Sequence, residues 1–206
     1  VFYSPFPEIN YENHTDSIAS LRDYVHLNSN IEGLIHNLLN FIPTEGYQSM
    51  LEVGCGFGFT LGFAKHVFKL DVQGFEPSLY GELGSKELGL NIQRSYLTAE
   101  NVKDVKVDLV YLSEVLEHIT DPVPFIKLLK QALNEHGVLL LTTPNYEALR
   151  KNLNDPSDLA LLSPGAHTIL FSAAGLTRIL KDCGFKHVTI RSQNHSLLAV
   201  CSVHEK

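Results

Sequence analysis

The chain has 206 residues, of which 44% are hydrophobic and 19% charged, with a formal net charge of −7. That composition fits one globular domain with a sizeable core. It argues against a general nucleic-acid or anionic-membrane surface, which needs a basic face, and the 16 Lys and Arg are scattered without a run. Cys55, Cys183 and Cys201 are too few and too far apart for a disulfide framework or a zinc knuckle, so a reducing, cytoplasmic setting is expected. No apolar run is long enough to span a membrane. The first residues lack the basic start and apolar stretch of a signal peptide. Val1 in place of Met suggests a chain trimmed from a longer one.

Residues 1–15 carry Pro, Asn and aromatics without a period and read as an extended arm. Asp16 can cap a helix through His26, and residues 1–30 together could act as a lid. Ile31, Leu34, Ile35, Leu38 and Leu39 share one helical face in Ile31–Phe41, closed by Pro43 and Gly46. The domain proper is expected over residues 31–206. Strands are expected at Ser49–Val53, Val72–Phe75, Asn91–Tyr96, Val107–Leu112 and Val138–Thr142. Helices are expected at Leu61–Phe68, Leu79–Leu88, Pro122–Leu133 and Ala173–Cys183. Two closing strands, Val188–Ser192 and Leu197–Val203, should pair antiparallel through a turn at residues 193–195. Alternating strand and helix give an α/β domain whose mostly parallel sheet is covered on both faces. Ligands of such folds bind at the carboxyl ends of the strands.

The stretch LEVGCGFGF, Leu51 to Phe59, follows the first of these strands. It is no P-loop, because no Gly-Lys-Ser/Thr closes it. As a dinucleotide fingerprint it is defective, since Phe59 stands where the third glycine belongs. Glu52 beside the loop would repel a pyrophosphate and attract a cation. S-adenosylmethionine, with an ammonium and a sulfonium against one carboxylate and no phosphate, suits this loop better than NAD. The next strand ends in GFEPS, where Glu76 can accept both ribose hydroxyls of an adenosine.

Taken in order, LEVGCGFG, GFEP, DLVYLSEVLEHITDP and GVLLLTTPN resemble the class I S-adenosylmethionine-dependent methyltransferases. SEVLEHITDP and the later HTILFSAAGLTRILKDCGF are most similar to the branch with the ubiquinone-pathway O-methyltransferases. The resemblance covers residues 31–203. It implies a Rossmann-like seven-stranded sheet with the last strand antiparallel. It also implies that Gly54, Cys55, Gly56 and Gly58 line the methionine and ribose side of the cofactor, and that Glu52 binds the methionine ammonium through water. Glu76 would bind the ribose hydroxyls, with Pro77 beside the adenine. Thr98, Ala99 and Glu100 would occupy the adenine segment. Thr98 stands where the family often has Asp, so its contact there could reduce to the Ala99 amide. Ser113 and Glu114 would flank the sulfonium.

Two histidines have the pKa range to take a proton from an acceptor: His118 after the fourth strand, and His167 near the expected acceptor pocket. Both have a structural alternative, holding loops by hydrogen bonds. Glu114, Glu117 and His118 stand at i, i+3 and i+4, one face of a helical turn, and could instead bind an oxygen-loving divalent metal. The reading adopted assigns the histidines to proton transfer and no metal. Cys55 is expected to be a small loop residue, not a nucleophile. Tyr146 could face the acceptor, and the long polar segment of residues 145–166 could carry specificity. The expected activity is transfer of a methyl group from S-adenosylmethionine to a small or sugar-containing acceptor, at oxygen by analogy with the family branch. A non-catalytic scaffold domain is the alternative.

Overall fold

The computed structural model describes residues 46–149, 161–163, 165–193 and 195–204. The arm and the two helices expected before Pro43, and most of the polar segment after Asn145, lie outside the described residues. Seven strands form one sheet: β1 (Ser49–Val53), β2 (Asp71–Phe75), β3 (Ile92–Gln93), β4 (Val107–Ser113), β5 (Leu133–Pro144), β6 (His187–Gln193) and β7 (Ser196–Ser202). Their spatial order is β3-β2-β1-β4-β5-β7-β6. The first five run parallel, and β7 lies antiparallel between β5 and β6. The order reverses between β1 and β4, so the crevice for a ligand opens at their carboxyl ends.

Side chains alternate between two apolar layers, as burial on both sheet faces requires. Leu51, Val53, Val110, Leu112, Leu139 and Leu141 belong to one layer, with Phe125, Ile126 and Leu129 of α3 (Pro122–Ala132) and Leu176 and Leu180 of α5 (Ala173–Asp182). Met50, Leu109, Tyr111, Val138 and Leu140 belong to the other, with Leu61 and Ala64 of α1 (Phe59–Val67). Burying each such Leu, Ile or Phe contributes roughly 1.5–3 kcal/mol. The helices start on local signals. Ser78 caps α2 (Leu79–Leu88) by accepting from the Tyr80 amide, and Ser172 caps α5 by accepting from Gly175. Pro122 opens α3, where a missing N–H is harmless.

The helix expected to begin at Leu61 begins at Phe59, because the loop turns directly into it from Gly58. β3 shrinks to two residues, its polar flanks Arg94 and Ser95 leaving the sheet. β5 extends back to Leu133. Its pairing with β4 shifts between Val107 and Leu109, so the turn-like run Asn134–Gly137 is accommodated as an irregularity inside the strand. Asp108 pins that end of the sheet: it accepts hydrogen bonds from the Gln48 and Ser49 amides, the Ser49 hydroxyl and the Asn134 side chain.

Candidate active site at the sheet switch point

The glycine loop joins β1 to α1 at the switch point. Gly54 has φ +73°, and its amide donates to the Phe75 carbonyl. A Cβ there would come within 2.5 Å of Val115, which packs under the loop. Gly58 caps α1 in the left-handed region at φ +81°, where a Cβ would crowd Leu90 and Ile92. The loop needs these glycines for its path as well as for any ligand. Gly56 donates its amide to Glu76 Oε2 at 2.9 Å, and Ser78 donates its amide to Glu76 Oε1 at 2.9 Å. The end of β2 is thus tied to the loop through one buried carboxylate. Pro77 follows it, half-buried.

Glu52 is buried under the loop, and Oε2 has no hydrogen-bond partner. Burial pushes its carboxyl well above the usual range, against the pull of donors from Thr60 and Leu61, and nearby Glu76 adds to the rise. Cys55 is buried too. Burial, with Glu52 and Glu76 close by, pushes its thiol well up, so it is no ready nucleophile. Thr98 and Ala99 lie in an exposed turn. There Thr98 and Asn101 exchange hydrogen bonds, the Thr98 amide to Asn101 Oδ1 at 2.7 Å and the Asn101 amide to Thr98 Oγ1 at 3.3 Å. The Thr98 hydroxyl is therefore already engaged within its own turn.

Ser113 ends β4, with its hydroxyl 3.0 Å from that of Thr142 on β5. Glu114 follows with φ +54°, a conformation uncommon for a side chain larger than glycine, and its amide donates to the Thr142 carbonyl. It keeps an exposed edge, but surrounding protein raises its carboxyl. Leu116–His118 form a single 3-10 turn. Because Glu114 stands outside that turn in a left-handed conformation, the helical face expected for Glu114, Glu117 and His118 does not form.

A different cluster forms. Glu117 is fully buried; its Oε2 accepts from the Thr143 hydroxyl at 2.9 Å. Its Oε1 makes no hydrogen bond and lies 3.8 Å from His118 Nε2 and 3.9 Å from His167 Nε2. Candidate ligand atoms of Glu117, His118 and His167 all fall within 4.8 Å of one another. His167 is brought in by its own segment: Thr168 and Ile169 donate their amides to the Glu117 carbonyl. His118 Nδ1 is 3.0 Å from the Ala166 carbonyl, and His167 Nδ1 is 2.7 Å from the Leu161 carbonyl. A carbonyl only accepts, so each Nδ1 carries the hydrogen and each Nε2 keeps its lone pair. The rings meet edge to face with centroids 4.9 Å apart. Burial and the Glu114 charge push Glu117 up to about 8, against the Thr143 hydrogen bond. Burial also lowers His118, with the neighbouring His167 adding to the drop and the Ala166 carbonyl opposing it.

The cluster can serve in two ways. Two lone-pair imidazole nitrogens can receive a proton. Alternatively, two Nε2 atoms and one carboxylate oxygen, each imidazole oriented by a carbonyl on its far side, form a donor set for a divalent cation. The orphaned Glu117 Oε1 fits such an ion. Tyr146, at the start of α4 (Tyr146–Leu149), is 44% exposed, and buried Asn145 holds that corner by donating to the Ser192 hydroxyl. The sequence groups Glu117 with His118 and Glu114 and names His167 separately; the fold puts His167, not Glu114, beside Glu117 and His118.

A methyltransferase domain model matches residues 24–190. A probable S-adenosylmethionine-dependent methyltransferase of Mycolicibacterium smegmatis is 28% identical over 68% of this chain and 52% of its own length. A ubiquinone biosynthesis O-methyltransferase of Haemophilus ducreyi is 32% identical over 52% of this chain and 51% of its own length. A tRNA U34 carboxymethyltransferase of Campylobacter curvus is 29% identical over 47% of this chain and 34% of its own length. The chain thus spans about half the length, or less, of these relatives. The crystal structure of a possible histamine N-methyltransferase from Thermotoga maritima superposes with a TM-score of 0.66 at 14% identity, over 89% of this chain and 96% of that one, and shares its fold. The chain belongs to the methyltransferase domain family, with the Rossmann-like class I fold.

Proposed function

We propose that this chain binds S-adenosylmethionine in the glycine loop and catalyses methyl transfer to an oxygen of a small or sugar-containing acceptor. The observation that carries the reading is the pairing of two sites across the switch point: an acidic cradle made by Glu52, Gly56 and Glu76, and the Glu117–His118–His167 cluster beyond the end of β4. The cradle suits a cationic adenosyl ligand, and the orphaned Glu52 oxygen is an acceptor awaiting a donor.

When bound, S-adenosylmethionine supplies an activated methyl carbon that an acceptor oxygen displaces from sulfur. Glu76 orients the ribose by accepting from its hydroxyls. Ser113 and Glu114 wall the methyl-bearing end. His118 or His167 receives the acceptor hydroxyl proton at Nε2, a step an amine acceptor would not need in its neutral form. Holding both reactants in line accounts for most of the acceleration. A divalent cation held by Glu117, His118 and His167 would supply a Lewis acid for the acceptor oxygen and would serve the same oxygen preference. The acidic net charge favours a small acceptor over nucleic acid.

The test is S-adenosylhomocysteine release from pools of hydroxyl and amine acceptors, for the wild type and His167→Ala. Turnover confined to hydroxyl acceptors, lost in the variant while cofactor binding persists, supports the reading. Turnover of amines alone overturns the oxygen assignment.

A further inference from the structure

The end of β5 carries two adjacent threonines, and neighbours on a strand point to opposite faces of the sheet. Thr142 places its hydroxyl 3.0 Å from that of Ser113. Thr143 donates its hydroxyl to Glu117 Oε2 at 2.9 Å. Both threonines are buried, Thr143 completely. The backbone of Thr143 is held by its pairing with Leu197 of β7, and Pro144 after it favours the extended form. Its hydroxyl is therefore a donor at a fixed place, set by the sheet and not by the turn that carries Glu117.

Glu117 stands on a single 3-10 turn, and its long side chain could turn either carboxylate oxygen, or neither, toward the imidazoles. Its backbone is tied on the other side. The Glu117 carbonyl accepts from the Thr168 and Ile169 amides and from the Thr168 hydroxyl at 3.0 Å. Those bonds bring the His167 segment to the turn but do not orient the carboxylate. The bond from Thr143 does. With Oε2 engaged, Oε1 is the oxygen turned to the rings, 3.8 Å from His118 Nε2 and 3.9 Å from His167 Nε2, and it makes no hydrogen bond of its own. An oxygen about equally far from two nitrogens, and bonded to neither, is held there by something other than the rings.

We propose that Thr143 is a positioning residue for the reaction: its hydroxyl holds the Glu117 carboxylate by one oxygen, so that the other is kept between the two Nε2 atoms. This rests on the assignment of the cluster to the acceptor side of the site. Thr143 acts through Glu117 and not on a reactant, whichever of His118 and His167 takes the proton. A shift of the carboxylate by about 1 Å would misplace both rings and lower turnover by up to about a hundredfold without touching the cofactor cradle.

The experiment compares Thr143→Val, which keeps the shape and loses the hydroxyl, with Thr143→Ser, which keeps the hydroxyl and loses the methyl. A packing role and a positioning role predict opposite orders. The first readout is ring-nitrogen NMR of histidine-labelled protein at one pH near neutral, the two rings assigned by His118→Asn and His167→Asn. The Nε2 signals of both rings should move together in Thr143→Val and stay in place in Thr143→Ser. On a Glu117→Leu background, which has no carboxylate to hold, Thr143→Val should move neither ring further, and this comparison stands if valine alone prevents folding. The second readout is steady-state turnover of the hydroxyl acceptor pool. Thr143→Val should lower kcat by about ten- to a hundredfold and Thr143→Ser by less than about threefold, with KM for S-adenosylmethionine unchanged in both. Ring signals indifferent to valine, or moved more by serine than by valine, overturn the inference and leave the methyltransferase reading standing. If the wild type turns over no hydroxyl acceptor, the oxygen reading falls, and the ring signals alone decide the role of Thr143.

Discussion

The two halves of the site are built from different materials. On the β1–β2 side, the backbone does most of the shaping. Gly54 and Gly58 adopt left-handed conformations, and the Gly56 and Ser78 amides converge on one carboxylate. On the β4–β5 side, side chains from segments about fifty residues apart meet: Glu117 and His118 from the turn after β4, and His167 from the segment before α5. In the proposed reading the first half holds the adenosyl ligand. The second half can do acid–base or metal chemistry. Lesions on the two sides should therefore separate, with binding failing on one and turnover on the other.

The largest effect is expected on the β4–β5 side. His167→Ala should lower turnover by about 10²–10⁴-fold, the range for loss of a positioned acid or base. Its dissociation constant for S-adenosylhomocysteine should stay within threefold, roughly the noise left when no contact is lost. Steady-state kinetics beside calorimetry check this, and a large loss of binding would erase the division. Next, Glu76→Ala should weaken S-adenosylhomocysteine by about ten- to a hundredfold, as for loss of charge-assisted hydrogen bonds worth about 1.5–3 kcal/mol.

A third change tests the backbone argument. Gly54→Ala forces a side chain into a left-handed position against Val115, and should destabilise the fold by about 1–3 kcal/mol in urea unfolding. A neutral outcome would show that the loop can relax. A smaller effect concerns pH. The unfolded chain loses the Glu52 proton near the ordinary 4.5, whereas the folded chain keeps it to a higher pH. The folded state then binds more protons, so stability falls as pH rises above 4.5, until the folded carboxyl ionises. Glu52→Gln should flatten that fall, as thermal midpoints across the window would show. The smallest effect is expected at Thr98. Its hydroxyl already serves Asn101, so Thr98→Ala should change cofactor affinity by less than about threefold.

The same division explains what the sequence made legible. Gly54, Gly56, Gly58 and Glu76 could be read directly, because a tight strand-to-helix turn and a carboxylate at the next strand end are local features with fixed spacing. The mostly parallel α/β sheet followed from alternating elements, and the closing hairpin from two apolar runs beside a polar turn. The Glu117–His118–His167 meeting could not be read, because it depends on the Thr168 and Ile169 amides reaching the Glu117 carbonyl across the fold. The expected face at Glu114, Glu117 and His118 assumed a helix where the chain makes one 3-10 turn preceded by a left-handed residue. The long β5 was missed for a similar reason: Asn134–Gly137 carries turn chemistry, but pairing with β4 resumes on both sides of it.

The central claim is that the acidic glycine-loop cradle holds an S-adenosyl ligand. Titration of the purified protein with S-adenosylhomocysteine and with NAD, for the wild type and Glu76→Ala, tests it most directly. The account predicts binding of S-adenosylhomocysteine alone, weakened at least tenfold in the variant. Binding of NAD instead, or binding of S-adenosylhomocysteine indifferent to the loss of Glu76, would contradict it.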